Sequence, residues 1–97
     1  MATVLAFERH PVASESVEGF IELLSGLLDA MRSAPGALWA DAARAGDDDP
    51  SWLVLSEWRT GADLDAWESS LPAAEFSQAA DALLRGDITR RHFGSQA

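Results

Sequence analysis

The chain has 97 residues, a formal net charge of −9, and 47% apolar residues. That length suits one domain, residues 1–97, burying about 60% of its unfolded surface around a single modest core. Cysteine, lysine, tyrosine and asparagine are absent, which excludes disulfides, thiolate metal sites, Schiff-base lysines and a P-loop lysine. The negative field repels phosphate backbones, so no nucleic-acid partner is expected.

Thr3 to His10, TVLAFERH, is β-branched and aromatic enough for a strand, which Pro11 ends. The N-terminal segment has neither a basic region nor a long apolar region, so no secretory leader is expected. Ser14 or Ser16 can cap a following helix, with Glu15 and Glu18 favoured by its dipole. Val17, Phe20, Ile21, Leu24, Leu28 and Met31 recur at spacings of three and four as its apolar face. Its most apolar stretch, Phe20 to Leu28, holds Glu22, Ser25 and Gly26 and is too short to span a bilayer. No membrane partner is expected, and the address is expected to be cytoplasmic.

Pro35-Gly36 signals a turn, Ala37 to Arg44 a second strand, and AGDDDP at 45–50 a solvated hairpin tip. The three aspartates there lack the glycine and glutamate of a calcium loop, so no metal is expected. Ser51 to Arg59 is the clearest strand. Ala62 to Ser70 forms a short helix, and Pro72 opens another with Phe76, Ala79, Ala80, Leu83 and Leu84 on its apolar face. Arg85-Gly86 stops it, and Asp87 to Gly94 is the last strand. The order is that of an α+β, ferredoxin-like β-α-β-β-α-β sandwich on a four-stranded antiparallel sheet, its second helix broken at Pro72.

A sheet covered on one face should alternate apolar and polar residues. The strand at 51–59 does not, with Trp52, Val54 and Trp58 on one side and Leu53 and Leu55 on the other. The first strand likewise opposes Val4 and Ala6 to Leu5 and Phe7. One face takes the helices, and the other needs a partner, for which a second copy is the economical choice. A homodimer is therefore expected.

The run Pro35-Gly36-Ala37-Leu38, then Leu53-Val54-Leu55-Ser56-Glu57-Trp58, then Gly61-Ala62-Asp63-Leu64-Asp65-Ala66-Trp67 resembles the antibiotic biosynthesis monooxygenase family over residues 3–93. That resemblance implies a dimeric α+β barrel with a pocket between sheet and helices. The family's activities include cofactor-free oxygenation of aromatic polyketides and haem degradation. In the haem-degrading branch, Trp67 matches a tryptophan, but the iron-ligand position falls on Ser77 and the required asparagine is missing. In the quinone-forming branch Trp58 matches, while the family's asparagine, tyrosine and arginine fall on Val54, Leu64 and near Gln78.

The resemblance thus implies a cofactor-independent monooxygenase acting on a hydrophobic aromatic or phenolic metabolite, with neither haem nor flavin. A polyketide cyclase or isomerase and a non-catalytic small-molecule-binding dimer are the alternatives on the same fold. His10 and His92, the two groups poised to titrate near neutrality, are the candidate bases. With Trp58 they form the expected catalytic set; Trp67, Phe76, Ser77, Phe7 and Arg90 are the expected substrate-binding residues. If the first and last strands pair, both histidines are expected at one end of the pocket.

Overall fold

A computed structural model describes residues 2–94. Strand β1 (Val4–His10) leads through a 3-10 turn, Ser14–Ser16, into α1 (Val17–Arg32). Strands β2 (Ala37–Arg44) and β3 (Trp52–Trp58) form a hairpin, followed by α2 (Gly61–Glu68), α3 (Leu71–Asp81) and β4 (Thr89–Gly94). The sheet order is β2-β3-β1-β4 with every pair antiparallel. This is the ferredoxin-like α+β arrangement, and the second helical segment divides in two before Pro72.

The helices cover one sheet face. Ala6, Ala40, Val54, Ser56 and Trp58 point into that layer and meet Phe20, Leu24, Leu27 and Met31 of α1, Leu64 and Trp67 of α2, and Phe76 and Ala80 of α3. The buried stripe of α1 is rotated from the expected one: Leu27 is buried, and Ile21 is 44% exposed. Leu23, Leu24, Leu27 and Leu28 supply two overlapping stripes. Packing against the sheet selects the one at spacings of four, three and four from Phe20.

Local chemistry sets the element ends. Neither serine caps α1 by its side chain; the 3-10 turn closes with Ser16 N–H donating to the Ala13 carbonyl at 2.9 Å. Thr60 and Ser70 do cap α2 and α3, accepting from the N–H groups of Asp63 and Ala73. Helix α3 ends at Asp81, short of the expected Leu84, because the next residues bond elsewhere. Leu83 accepts from Ala13 N–H at 3.0 Å and Arg85 N–H donates to Pro11 at 2.8 Å. The hairpin tip is not simply solvated. Asp49 accepts from Ser51 N–H at 2.9 Å, Arg9 at 2.6 Å and Arg85 at 3.3 Å. The bonds from Ser51 and then Arg9 hold its carboxyl well below the usual range.

Gly36 joins α1 to β2 with φ +83°, and its carbonyl accepts from Arg59 N–H at 2.8 Å. A Cβ there would overlap the Asp63 side chain at the start of α2. Gly36→Ala is expected to destabilise the fold by about 1–2 kcal/mol from the backbone alone. Displacing Asp63 adds to that cost. Urea unfolding of the two proteins at matched m-values checks it.

The opposite sheet face carries no helix. Strand register puts Leu5, Phe7 and Arg9 there with Leu53, Leu55 and Glu57 of β3, Trp39 of β2, and Arg91 and Phe93 of β4. Leu5, Trp39 and Phe93 are 36%, 42% and 51% exposed. Glu57 accepts from Thr3 and from Trp39 Nε1 on this face, and those two bonds hold its carboxyl below the usual range. No described helix is long and apolar enough to cross a membrane.

Candidate active-site cleft

Period-two alternation along β1 sends Glu8 and His10 to the helix side, and β4 pairs beside them with Arg90 opposite Glu8. Between these strands and the helices lies a cleft of about 300 Å³. Glu8, His10 and Arg90 line it from the sheet, Leu27 from α1, Trp67 and Glu68 from α2, and Ala73, Phe76 and Ser77 from α3.

His10 is 1% exposed, caged by Phe20 and Phe76 with ring centroids 5.6 and 5.8 Å away. Its Nε2 lies 3.0 Å from Glu8 Oε1, and Arg90 Nε donates to Glu8 Oε2 at 2.9 Å. Burial raises the Glu8 pKa, but the hydrogen bonds and charges of His10 and Arg90 outweigh it, so the carboxyl sits below its ordinary value of 4.5. An ionised Glu8 is an acceptor only, so the facing Nε2 carries the proton. The remaining ring nitrogen, Nδ1, is buried and has no protein partner.

Because folding depresses the Glu8 pKa, its contribution to stability is present above pH 4.5 and is lost as pH falls through the folded value. Glu8→Gln is therefore expected to lower Tm at neutral pH, and the gap to wild type closes on acidification. Melting curves of both proteins over an acid pH series check the sign.

Of the residues expected from sequence, His10, Trp67, Phe76, Ser77 and Arg90 come together in the cleft. Phe7 does not: its neighbours in β1, Ala6 and Glu8, face the helices, so it lies on the opposite sheet face. Trp58 is fully buried beneath the cleft, its indole stacked on Trp67 at 6.2 Å and donating to Ser56 Oγ at 2.9 Å. It does not line the cleft; it backs the Trp67 wall.

The histidines do not share one end of the pocket. His92 pairs with Ala6, four residues along β1 from His10, a separation of about 13 Å at the strand rise. Its Nε2 lies 3.2 Å from Glu68 Oε2 at the cleft's rim. Sequence reasoning missed both partner glutamates. Glu8 was visible as a carboxylate two places before a histidine on one strand face; Glu68 had no such signal. Among the described residues no group of three or more His, Asp or Glu side chains is arranged to hold a metal ion.

The ferredoxin-like α+β sandwich thus carries an aromatic-walled cleft with one Glu–His pair inside it and another at its rim. The family model for antibiotic biosynthesis monooxygenases matches residues 1–82, and the chain belongs to that family. Arg90 and His92 lie beyond the matched span.

Solved structures share the fold. PA3566 from Pseudomonas aeruginosa superposes with a TM-score of 0.87 at 20% identity, covering 100% of this chain and 97% of that one. A conserved protein of Methanosarcina mazei Go1 gives 0.89 at 17% identity, with coverage of 96% and 92%. A variant of SnoaB, a cofactor-independent oxygenase from Streptomyces nogalater, gives 0.84 at 16% identity, with coverage of 98% and 94%. No curated protein matches the chain.

Proposed function

We propose that the protein is a cofactor-independent, cytoplasmic monooxygenase acting on a hydrophobic phenolic metabolite of polyketide type. The observation that carries this reading is the buried Glu8–His10 pair, whose Nδ1 has no partner inside an aromatic cage. Family membership and the fold shared with SnoaB support it.

In this reading His10 Nδ1 takes the acidic proton of the bound phenol or its keto form, and Glu8 stabilises the resulting imidazolium. The electron-rich carbanion or phenolate reduces dioxygen itself. For an anthrone, the ring methylene becomes a carbonyl, one oxygen atom of O₂ enters the product, and the other leaves as water with the two methylene hydrogens. All electrons come from the substrate. Trp67 and Phe76 provide the faces on which an aromatic ring stacks, and their apolar surround limits water.

The test is an oxygen-electrode assay with a panel of anthrones, quinone formation being followed in parallel. One O₂ consumed per quinone formed supports the reading. Product without oxygen uptake replaces it with a cyclase or isomerase, which the same acid–base pair would serve. Binding without turnover leaves a ligand-binding protein.

The working unit in this proposal is a homodimer joined through the helix-free sheet face, where Leu5, Trp39 and Phe93 lie exposed together. Two copies would cover each other's apolar surface around a two-fold axis. Phe93→Glu with Leu5→Glu is expected to shift the sedimentation mass from dimer to monomer, read by analytical ultracentrifugation. An unchanged dimer mass would move the interface elsewhere.

A further inference from the structure

Among the described residues, Arg90 is the one arginine that lines the cleft. It stands opposite Glu8 in the β1–β4 ladder, on a strand beyond the family-matched span. A guanidinium offers five N–H donors in a planar fork. Here Nε donates to Glu8 Oε2 at 2.9 Å, and the terminal nitrogens bond to no described residue. The side chain is half-exposed, so that free edge is open to a ligand. The two carboxylates of the cleft are already matched, Glu8 by His10 and Arg90, and Glu68 by His92. Arg90 and Ser77 also border a neighbouring hollow, which carries Asp81 and Asp87. Those aspartates repel an anion from the hollow, so the cleft is the side on which Arg90 can receive one.

We infer that Arg90 anchors an ionised carboxylate on the substrate, received on the free edge of its guanidinium with the Ser77 hydroxyl nearby in the same lining. The inference rests on the reading that the cleft binds phenols, and it narrows that class to phenolic acids. A planar fork of donors matches the two oxygens of a carboxylate, which a neutral carbonyl or hydroxyl cannot do. The chain's net charge of −9 works against anions at large, so this guanidinium gives a carboxylate an attraction that the rest of the lining does not. Strand register sets the spacing. Arg90 lies opposite Glu8, and His10 is two residues further along β1, a separation of about 7 Å at the strand rise. Two fused aromatic rings bridge that span, with a carboxylate at Arg90 and a hydroxyl at His10. Arg90 also faces the helical layer, so pairing of the helix-free sheet faces leaves it free. It is then a specificity-determining residue that decides which phenols are held and in which direction.

The experiment is isothermal titration calorimetry of 6-hydroxy-2-naphthoic acid, its methyl ester and 2-naphthol against the wild-type protein, Arg90→Gln and Arg90→Lys. The wild type is expected to bind the acid about 10-fold or more tighter than the ester. In Arg90→Gln that preference is lost, while the Kd values of the ester and the naphthol change much less than that of the acid. Arg90→Lys keeps a cation beside Glu8 but loses the planar fork, and its preference falls between the two. Melting curves confirm that each variant is folded, and Arg90→Lys decides the matter if Arg90→Gln does not fold. A wild type that binds acid and ester alike overturns the inference. So does an acid preference that both variants retain in full. Failure of the wild type to bind any of the three overturns it together with the reading beneath it. Oxygen uptake is not part of the readout. An acid preference in a protein that never consumes oxygen would keep the anchor and sink the oxygenase. Oxidation of anthrones with no acid preference would do the reverse.

Discussion

Substituting glutamine for His10 is expected to lower kcat for anthrone oxidation by about 10²–10⁴-fold, the range associated with a positioned general base. The effect should fall on kcat more than on KM. The proposed role of His10 is proton removal through its unpartnered Nδ1, and its ring is held in place by Phe20 and Phe76. Glutamine keeps a side-chain N–H that can donate to Glu8, so the buried carboxylate is not left unpaired. Glu8→Gln is the companion variant. It leaves His10 in place but removes the charge that stabilises the imidazolium, and a loss of about tenfold or more is expected. Steady-state oxygen uptake with the variants' melting curves recorded beside it separates the two effects. A His10→Gln protein that melts as wild type and oxidises anthrones at the wild-type rate would remove His10 from the chemistry.

Trp58→Ala is expected to be the most destabilising single truncation, by about 3–5 kcal/mol. Trp58 is 0% exposed, so its loss opens a cavity at the centre of the sheet–helix interface. It also deprives the buried Ser56 hydroxyl of the indole N–H at 2.9 Å and removes the surface on which Trp67 stacks. Against a total stability of about 5–15 kcal/mol, that leaves a marginal protein. At about 4–8 °C per kcal/mol for a domain of this size, Tm is expected to drop by about 12–40 °C. Trp58→Phe keeps most of the volume and loses the hydrogen bond, so its loss should be well under half as large. Differential scanning calorimetry of both variants measures the two contributions. A Trp58→Ala protein within a degree of wild type would mean that the interface collapses to fill the hole.

The architecture was legible wherever one local rule dominated. Pro35-Gly36 signalled a turn, Pro72 suited a helix start, and the apolar run at 52–58 read as a strand. The rotation of α1 was not legible, because four leucines at 23, 24, 27 and 28 satisfy two stripes and only the sheet decides between them. Of the site, the aromatic wall was readable from Trp67 and Phe76. Placing Phe7 in it failed on strand parity, since pointing His10 inward sends Phe7 outward. The two glutamates were hidden for different reasons. Glu8 carried a signal, two places before His10 on one strand face, but its bond to Arg90 comes only from the pairing of β1 with β4. Glu68 acquires meaning only when α2 brings it within 3.2 Å of His92.

Strand β4 is exposed along its whole length and is paired along one edge only, with β1. Yet it carries Arg90, which helps to line the cleft, and His92 at its rim. Segments with few buried contacts open at a small fraction of the global unfolding free energy. Its hold on the body is the ladder with β1 together with the Arg90–Glu8 and His92–Glu68 bridges. In the proposed reading, peeling back this one ribbon would widen the passage to His10 without a dedicated flap. Covering Phe93 with a second subunit would stiffen that ribbon, so self-association and the rate of ligand exchange become linked quantities.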